Sequence, residues 1–346
     1  MFSFRTTPIQ DQLDHALEGH LGVFCTPNCW DAVSGRYLYE QFAARGNKVT
    51  VFEPDGEHIP FVPEELENLD AVVVEIQDIG SRYFNYTVDV FRLMSAMCNV
   101  REGTLPLYIV DHLNPAGRDV EGTLPAGETD VWTPGVAHRH GLTLGELAHL
   151  YHTEIGAGYP LHIISAYSSR TNRTLMPWVI PPSVDVPGIF TPYLYSGASL
   201  WKDTTVTPGI GTSRPYEMFG APFIKSSLDN VPCPEGILMR SCSFVPAYGP
   251  YEGEKCFGFQ VILQPDAHYH SILHTVRMMR YFTERYSQFE ISETLYTRLA
   301  DPVMTEYLKG RITFDIVEEH VKLEEQKWIR KAKRYLLYDD PPCRIK

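Results

Sequence analysis

The chain has 346 residues, more than twice the ~150 of a typical domain, with 44% hydrophobic and 21% charged residues, which predicts two compact domains and excludes a disordered or collagen-like chain. Its 30 Lys+Arg against 43 Asp+Glu leave a formal net charge of -13, a field that repels phosphate backbones and anionic headgroups and argues against nucleic-acid and membrane partners. No apolar run reaches the ~18 residues of a membrane span, and the first twenty residues hold Asp11, Asp14 and Glu18 without an apolar signal core, so the expected location is cytoplasmic.

In chain order, Leu21 to Cys25 predicts a first strand. A helical pattern follows through Val33, Tyr37, Leu38 and Phe42, and Gly46 ends it before a second strand from Lys48 to Phe52. Leu69 to Ile76 predicts a third strand, Val88 to Met97 a helix with one buried face, and Leu107 to Val110 a fourth strand. Short apolar strands alternating with helices are the pattern of βαβ units and a mostly parallel sheet. Asn114 to Pro134 reads as a long loop, and Thr143 with Glu146 as a capping box that opens a helix to Tyr151. Leu161 to Ser165 predicts another strand, and Pro177 to Pro222 a run of ordered loops. Two further strands, Ile237 to Val245 and Cys256 to Leu263, precede helices from about His270 and Asp301 and a terminal helix over Val317 to Tyr338. The expected division is a Rossmann-like α/β domain over residues 1–225 and a smaller auxiliary α/β domain over 226–346.

The seven cysteines are odd in number and sparse, which is not a disulfide framework. Cys25 and Cys29 lack a second pair at zinc-site spacing and read as buried packing residues. Gly209-Ile-Gly211 lacks the third glycine of a dinucleotide fingerprint, and no Gly-x4-Gly-Lys-Ser/Thr loop occurs, so no nucleotide cofactor is expected. His268, His270 and His274 lack the glutamate of a metalloprotease helix and read as surface or packing residues.

Ligands of open parallel sheets bind outside the carboxyl ends of the strands. Those ends read Thr26-Pro-Asn28, Glu53-Pro-Asp55, Glu75-Ile-Gln77-Asp78 and Asp111-His112-Leu-Asn114. Convergent carboxylates shift one another's pKa, which suits general acid catalysis at a glycosidic bond and equally suits a divalent metal.

These segments carry a resemblance. Thr26-Pro-Asn28, Glu75-Ile-Gln-Asp-Ile-Gly-Ser-Arg-Tyr83, Asp111-His-Leu-Asn-Pro115 with Val120-Glu-Gly122, Arg139-His-Gly-Leu-Thr-Leu-Gly-Glu-Leu147, Pro182-Ser183, Gly211-Thr-Ser-Arg-Pro-Tyr-Glu217 with Gly220-Ala-Pro222, and Lys333-Arg-Tyr-Leu-Leu-Tyr338 follow one another in order. The chain resembles the NamZ-type exo-β-N-acetylmuramidases from about Gly22 to Tyr338. The resemblance implies a Rossmann-like catalytic domain, a smaller auxiliary domain, an active site in the cleft between them, no metal, and release of N-acetylmuramic acid from the non-reducing ends of peptidoglycan fragments. The family places its catalytic glutamate in a Pro-Glu-His-Gly segment after the second strand, where this chain reads Glu53-Pro-Asp-Gly-Glu-His58, which leaves Asp55 or Glu57 as general acid. Asp78 or Glu75 would be the second carboxylate. Arg82, Arg139 and Arg214 are the forks for the lactyl carboxylate of a muramyl saccharide. Asn28, Gln77, Asp111, Asn114, Glu121 and His140 complete the expected substrate-binding set. Two family segments differ: Glu-Gly-Thr-Asn is Lys202-Asp-Thr-Thr205 here, and Glu-Gly-Arg-Gly-Thr is Pro208-Gly-Ile-Gly-Thr212. These departures motivate the alternative of a non-catalytic or redirected sugar-binding protein on the same scaffold. A third reading is a metal-dependent hydrolase using Glu75, Asp78 and Asp111.

Overall fold

The computed structural model describes residues 13, 17–52, 61, 63–127, 135–166, 178, 180–225, 231–264 and 268–345. The first unit is an open sheet of five parallel strands: β1 (His20–Cys25), β2 (Lys48–Phe52), β3 (Ala71–Glu75), β4 (Leu107–Asp111) and, after the two-residue β5 (Asp119–Val120), β6 (Leu161–Ser165). Their spatial order is β2-β1-β3-β4-β6, with β1 paired to both β2 and β3 in parallel register. Chain order therefore reverses between β1 and β3, and that reversal is where an open α/β sheet offers a crevice at its carboxyl edge. The parallel sheet expected from the alternation is the one observed.

Every residue of β3 and β4 is buried, as a strand covered on both faces requires. One layer, with Phe24, Val72, Val74 and Leu107, packs against α3 (Asn85–Met97) and α4 (Leu144–Glu154). The other, with Leu21, Val23, Val73 and Val110, packs against α1 (Leu38–Ala44). A single turn, α2 (Pro63–Leu66), precedes β3. The capping box opens α4 as the spacing predicts: Thr143 accepts from the Glu146 amide, and Glu146 accepts from the Thr143 amide. The helix expected from Val33 begins only at Leu38, because Asp31 folds a turn by accepting from the amides of Val33 and Ser34, leaving Val33 exposed.

The second unit contains an antiparallel sheet, β7 (Met218–Ala221), β9 (Cys256–Leu263) and β8 (Ile237–Phe244), in the order β7-β9-β8. Helices α5 (Thr191–Ala198), α6 (Ser271–Thr283), α7 (Glu293–Leu299) and α8 (Pro302–Leu308) accompany it. The stretch expected as loops from Pro177 to Pro222 thus contains α5 and β7; Pro192 sits in the first turn of α5, where its missing N–H costs nothing. The boundary expected at 225/226 falls between β7 and β8, which share the central strand β9.

The last helix, α9 (Phe314–Ala332), joins both cores: Val317 and Val321 pack in the second, Trp328 and Ala332 in the first. It ends six residues before the expected Tyr338, because the following segment is held against the first unit. The Leu337 amide donates to Glu146, the Tyr338 hydroxyl donates to Asp111, and β10 (Cys343–Arg344) pairs with β5. Among the described residues, no helix is long and apolar enough to cross a membrane.

Candidate functional site at the carboxyl edge of the parallel sheet

The loop leaving β1 turns at once. Thr26 donates its hydroxyl to the Asn28 carboxamide oxygen at 2.6 Å, and the Cys29 thiol reaches across to the backbone oxygen of Glu75 at 2.9 Å. The ends of β1 and β3 are tied together across the reversal of strand order. From β4, His112 brings its Nε2 within 3.4 Å of Glu75 Oε1. Cys29, Glu75 and His112 are all buried, and one ligand atom from each lies within 4.8 Å of the others. Burial, reinforced by the Glu75 charge, pushes the Cys29 thiol well above its ordinary pKa.

Beyond β3, Gln77 donates to the carbonyls of Asp78 and Leu113. Asp78 accepts from the Gly80 amide at 2.8 Å and from the Thr87 hydroxyl at 2.6 Å, with His140 Nε2 at 3.4 Å. Gly80 has φ +83°, and a Cβ there would lie 2.6 Å from the Asn114 carboxamide oxygen, so only glycine lets this turn close against the neighbouring loop. Asn114 in turn donates to the Leu142 carbonyl and accepts from the Ala116 amide.

Asp111 ends β4 fully buried. It accepts from the Gly145 amide at 2.7 Å and from the hydroxyls of Thr143 and Tyr338 at 2.9 Å each. Burial outweighs these hydrogen bonds and pushes its pKa up to about 7. At Gly145 a Cβ would come within 2.7 Å of the Asp111 carboxyl carbon, so the missing side chain lets the α4 N-terminus approach the acid.

The expected arginine forks are placed unequally. Arg82 is buried and donates to the carbonyls of Thr123 (2.9 Å), Leu299 (2.7 Å) and Arg298 (3.2 Å), so it closes the carboxyl end of α7. Arg139 is buried between Glu121 (2.8 Å) and Asp119 (3.5 Å) and lies over the Tyr193 ring. The second Glu121 oxygen accepts from Ser271 and from the Ile272 amide, which clamps the start of α6 to the first unit. Arg214 is half exposed and pairs with Glu217 at 2.9 Å. Asp55 and Glu57 lie outside the described residues.

A cleft of about 790 Å³ opens beside these loops. Pro27 and the Tyr83–Tyr86 turn line it from the first unit, and residues 180–185, Tyr195, Lys202 and Arg298 from the second. Asn28 and Arg82 neighbour two lining residues without themselves lining this cleft. Lys202 follows α5 on a 3-10 turn; its ammonium is 3.7 Å from Asp185 and lies over the Tyr216 ring. Burial lowers its pKa, and Asp185 partly opposes that. Tyr216 occupies the left-handed region at φ 62° and donates to Asp185, so a residue in an unfavourable conformation supports the pair. Reading along the chain missed this group because its members sit in a loop-like stretch. The signal available was Lys202 itself, which already stands out as a departure from the pattern that the resemblance predicts. Trp201, next to Lys202, is core, stacked on Phe219 at 4.9 Å between ring centroids.

Comparison with known proteins adds sequence and fold relatives. The sequence matches the domain family described as "Exo-beta-N-acetylmuramidase NamZ, N-terminal" over residues 38–189 and its C-terminal counterpart over 193–338. It is 27% identical over 292 residues to the peptidoglycan beta-N-acetylmuramidase NamZ of Bacillus subtilis (strain 168), covering 80% of this chain and 69% of that protein. Two crystal structures of DUF1343 family proteins from Bacteroides fragilis NCTC 9343 share the fold. One has TM-score 0.77 at 19% identity, over 96% of this chain and 97% of that one. The other has TM-score 0.75 at 20% identity, over 93% and 94%.

Proposed function

The chain belongs to the NamZ exo-β-N-acetylmuramidase family, and from that premise we propose that it is an exo-acting β-N-acetylmuramidase releasing N-acetylmuramic acid from the non-reducing ends of peptidoglycan fragments. The observation that carries the reading is the cleft beside the strand reversal, with Lys202 and Asp185 on its wall in a chain of net charge -13. A lactyl carboxylate entering beside Lys202 would compete with Asp185 for the ammonium and restore charge to a group that burial disfavours. Arg214, the half-exposed fork, is the second candidate for that carboxylate; the guanidinium groups of Arg82 and Arg139 already serve the protein's own carbonyls and carboxylates.

The general acid is assigned to the segment after β2, to Asp55 or Glu57. Glu75 or Asp78 serves as second carboxylate, orienting water or the substrate's acetamido group. Positioned acids typically contribute ~100-fold to 10,000-fold. The test is hydrolysis of a chromogenic β-N-acetylmuramide against the matching N-acetylglucosaminide. Turnover of the muramide alone, abolished in Asp55→Asn or Glu57→Gln, supports the reading; equal turnover of both sugars, or none of either, ends it. Lys202 where the family carries a glutamate favours a second reading, a redirected sugar-binding protein. Saturable binding of a muramyl saccharide without turnover would establish that one.

A further inference from the structure

The loops at the reversal of strand order bring together a thiol, a carboxylate and an imidazole that the glycosidase reading does not need as a set. We infer that Cys29, Glu75 and His112 form a preorganised three-ligand site for a divalent transition metal of the zinc class. Glu75 is the last residue of β3, His112 follows β4 directly, and Cys29 sits in the short 3-10 turn after β1, held to the end of β3 by its contact with the Glu75 backbone oxygen, so the three donors stand at the ends of adjacent strands. Zinc binds sulfur at about 2.3 Å and nitrogen or oxygen at about 2.0 to 2.2 Å, which puts ligand atoms around one tetrahedral ion roughly 3.5 Å apart. His112 Nε2 and Glu75 Oε1 already stand at 3.4 Å, and all three donor atoms fall within 4.8 Å of one another. The remaining separations exceed the tetrahedral spacing by about 1 Å at most, a difference of the size that side-chain torsions cover.

The donor set selects the metal. One thiolate and one imidazole beside a single carboxylate match zinc, cobalt or copper, whereas calcium and magnesium prefer sets of oxygen ligands. Binding balances as follows: the Sγ–H bond of Cys29 breaks, a metal–sulfur bond forms, and the proton leaves to the buffer. The bound dication then offsets the charges of a buried thiolate and a buried carboxylate that would otherwise repel each other. Three protein donors leave a fourth position for water or another group. Pro27, two residues before Cys29, lines the cleft, so the ion would lie beside it. The inference stands apart from the muramidase reading: with metal bound, Glu75 is a ligand and Asp78 keeps the role of second carboxylate.

The experiment uses the full chain, stripped of metal and shown to be folded by its thermal transition, titrated with Co2+ and then with Zn2+. The expected result is one Co2+ per chain with a thiolate-to-cobalt charge-transfer band in the near ultraviolet, displaced by Zn2+, and a raised Tm with either ion. Cys29→Ser removes the band, and Cys29→Ser and His112→Asn each weaken Zn2+ binding by at least about 100-fold. Cys233→Ser and Cys343→Ser, at exposed thiols, change neither. Absence of the band in the folded native chain overturns the inference without any variant. A band that survives in His112→Asn, or disappears in Cys343→Ser, also overturns it, and these readouts decide the matter even if Cys29→Ser fails to fold.

Discussion

The two units are stabilised by different chemistry. Around the parallel sheet, buried charges are paired at the loops: Arg118 with Glu146, Arg139 with Glu121, and the acid of Asp111 beneath three hydrogen-bond donors. The antiparallel unit is instead built on aromatic rings, with Trp201 and Phe282 in contact with each other and each with both Phe219 and Phe289. Its strand β8 alternates buried or half-buried and exposed residues over much of its length, as a sheet with one covered face should. The difference teaches where polar chemistry can be held rigid. Parallel strands end together at one edge and deliver carboxylates to it, while the aromatic unit supplies a firm wall opposite.

The largest expected effects test this contrast directly. Arg118→Ala strands the Glu146 carboxylate in the interior and should cost about 3–5 kcal/mol in urea unfolding. Trp201→Ala empties the aromatic core and should cost about 3–5 kcal/mol as well. The two separate under compensation: the double change Arg118→Met with Glu146→Gln should recover much of the first loss, since a neutral pair leaves no unpaired charge. Failure to recover would show that the capping role of Glu146, and not its charge, dominates.

Next comes a pH dependence confined to the parallel unit. The folded pKa of Asp111, about 7, lies above its unfolded value near 3.8, so the folded state holds the extra proton between them. Its contribution is therefore fully present below pH 3.8 and is lost as pH rises to about 7, roughly 4 kcal/mol at most. Asp111→Asn, whose carboxamide can accept from Gly145 and donate to a hydroxyl, should flatten the stability profile between pH 4 and 7 relative to the native chain. Identical slopes would show that the buried acid does not titrate there.

A smaller effect belongs to the wall of the cleft. Lys202→Met should raise KM for the muramide about tenfold, ~1.4 kcal/mol, with little change for an uncharged sugar. An equal change for both sugars would assign Lys202 to general packing. The smallest effect is at the surface, where Lys327→Ala removes an exposed i,i+3 pair with Glu324 on α9 and should alter stability by no more than ~0.5 kcal/mol.

How much could be read in advance follows from the same physics. Strands β2 and β6 are legible residue for residue because short stretches rich in β-branched residues, bounded by Gly and Pro, have few alternatives, and the Thr143–Glu146 cap is a local pattern with a local cause. The polar residues at strand ends were legible as a set. Their individual tasks were not, since nothing in the spacing of Arg82 tells that its fork closes α7, more than two hundred positions away. α5 and β7 were hidden by Pro192 and Gly220, which read as loop residues until a neighbouring helix and strand use them. Cys29 has Cys25 as its nearest cysteine in sequence, whereas its partners in space, Glu75 and His112, arrive from other strands.

The return of the chain to its starting unit has a mechanical consequence. Because α9 reaches back into the first core and β10 zips onto β5, the antiparallel unit is spliced into the parallel one and hangs from two covalent crossings instead of one. The second crossing runs inside α9, between Val321 in one core and Trp328 in the other, so the two units share one continuous helix and any widening of the cleft would have to bend that helix or carry it along.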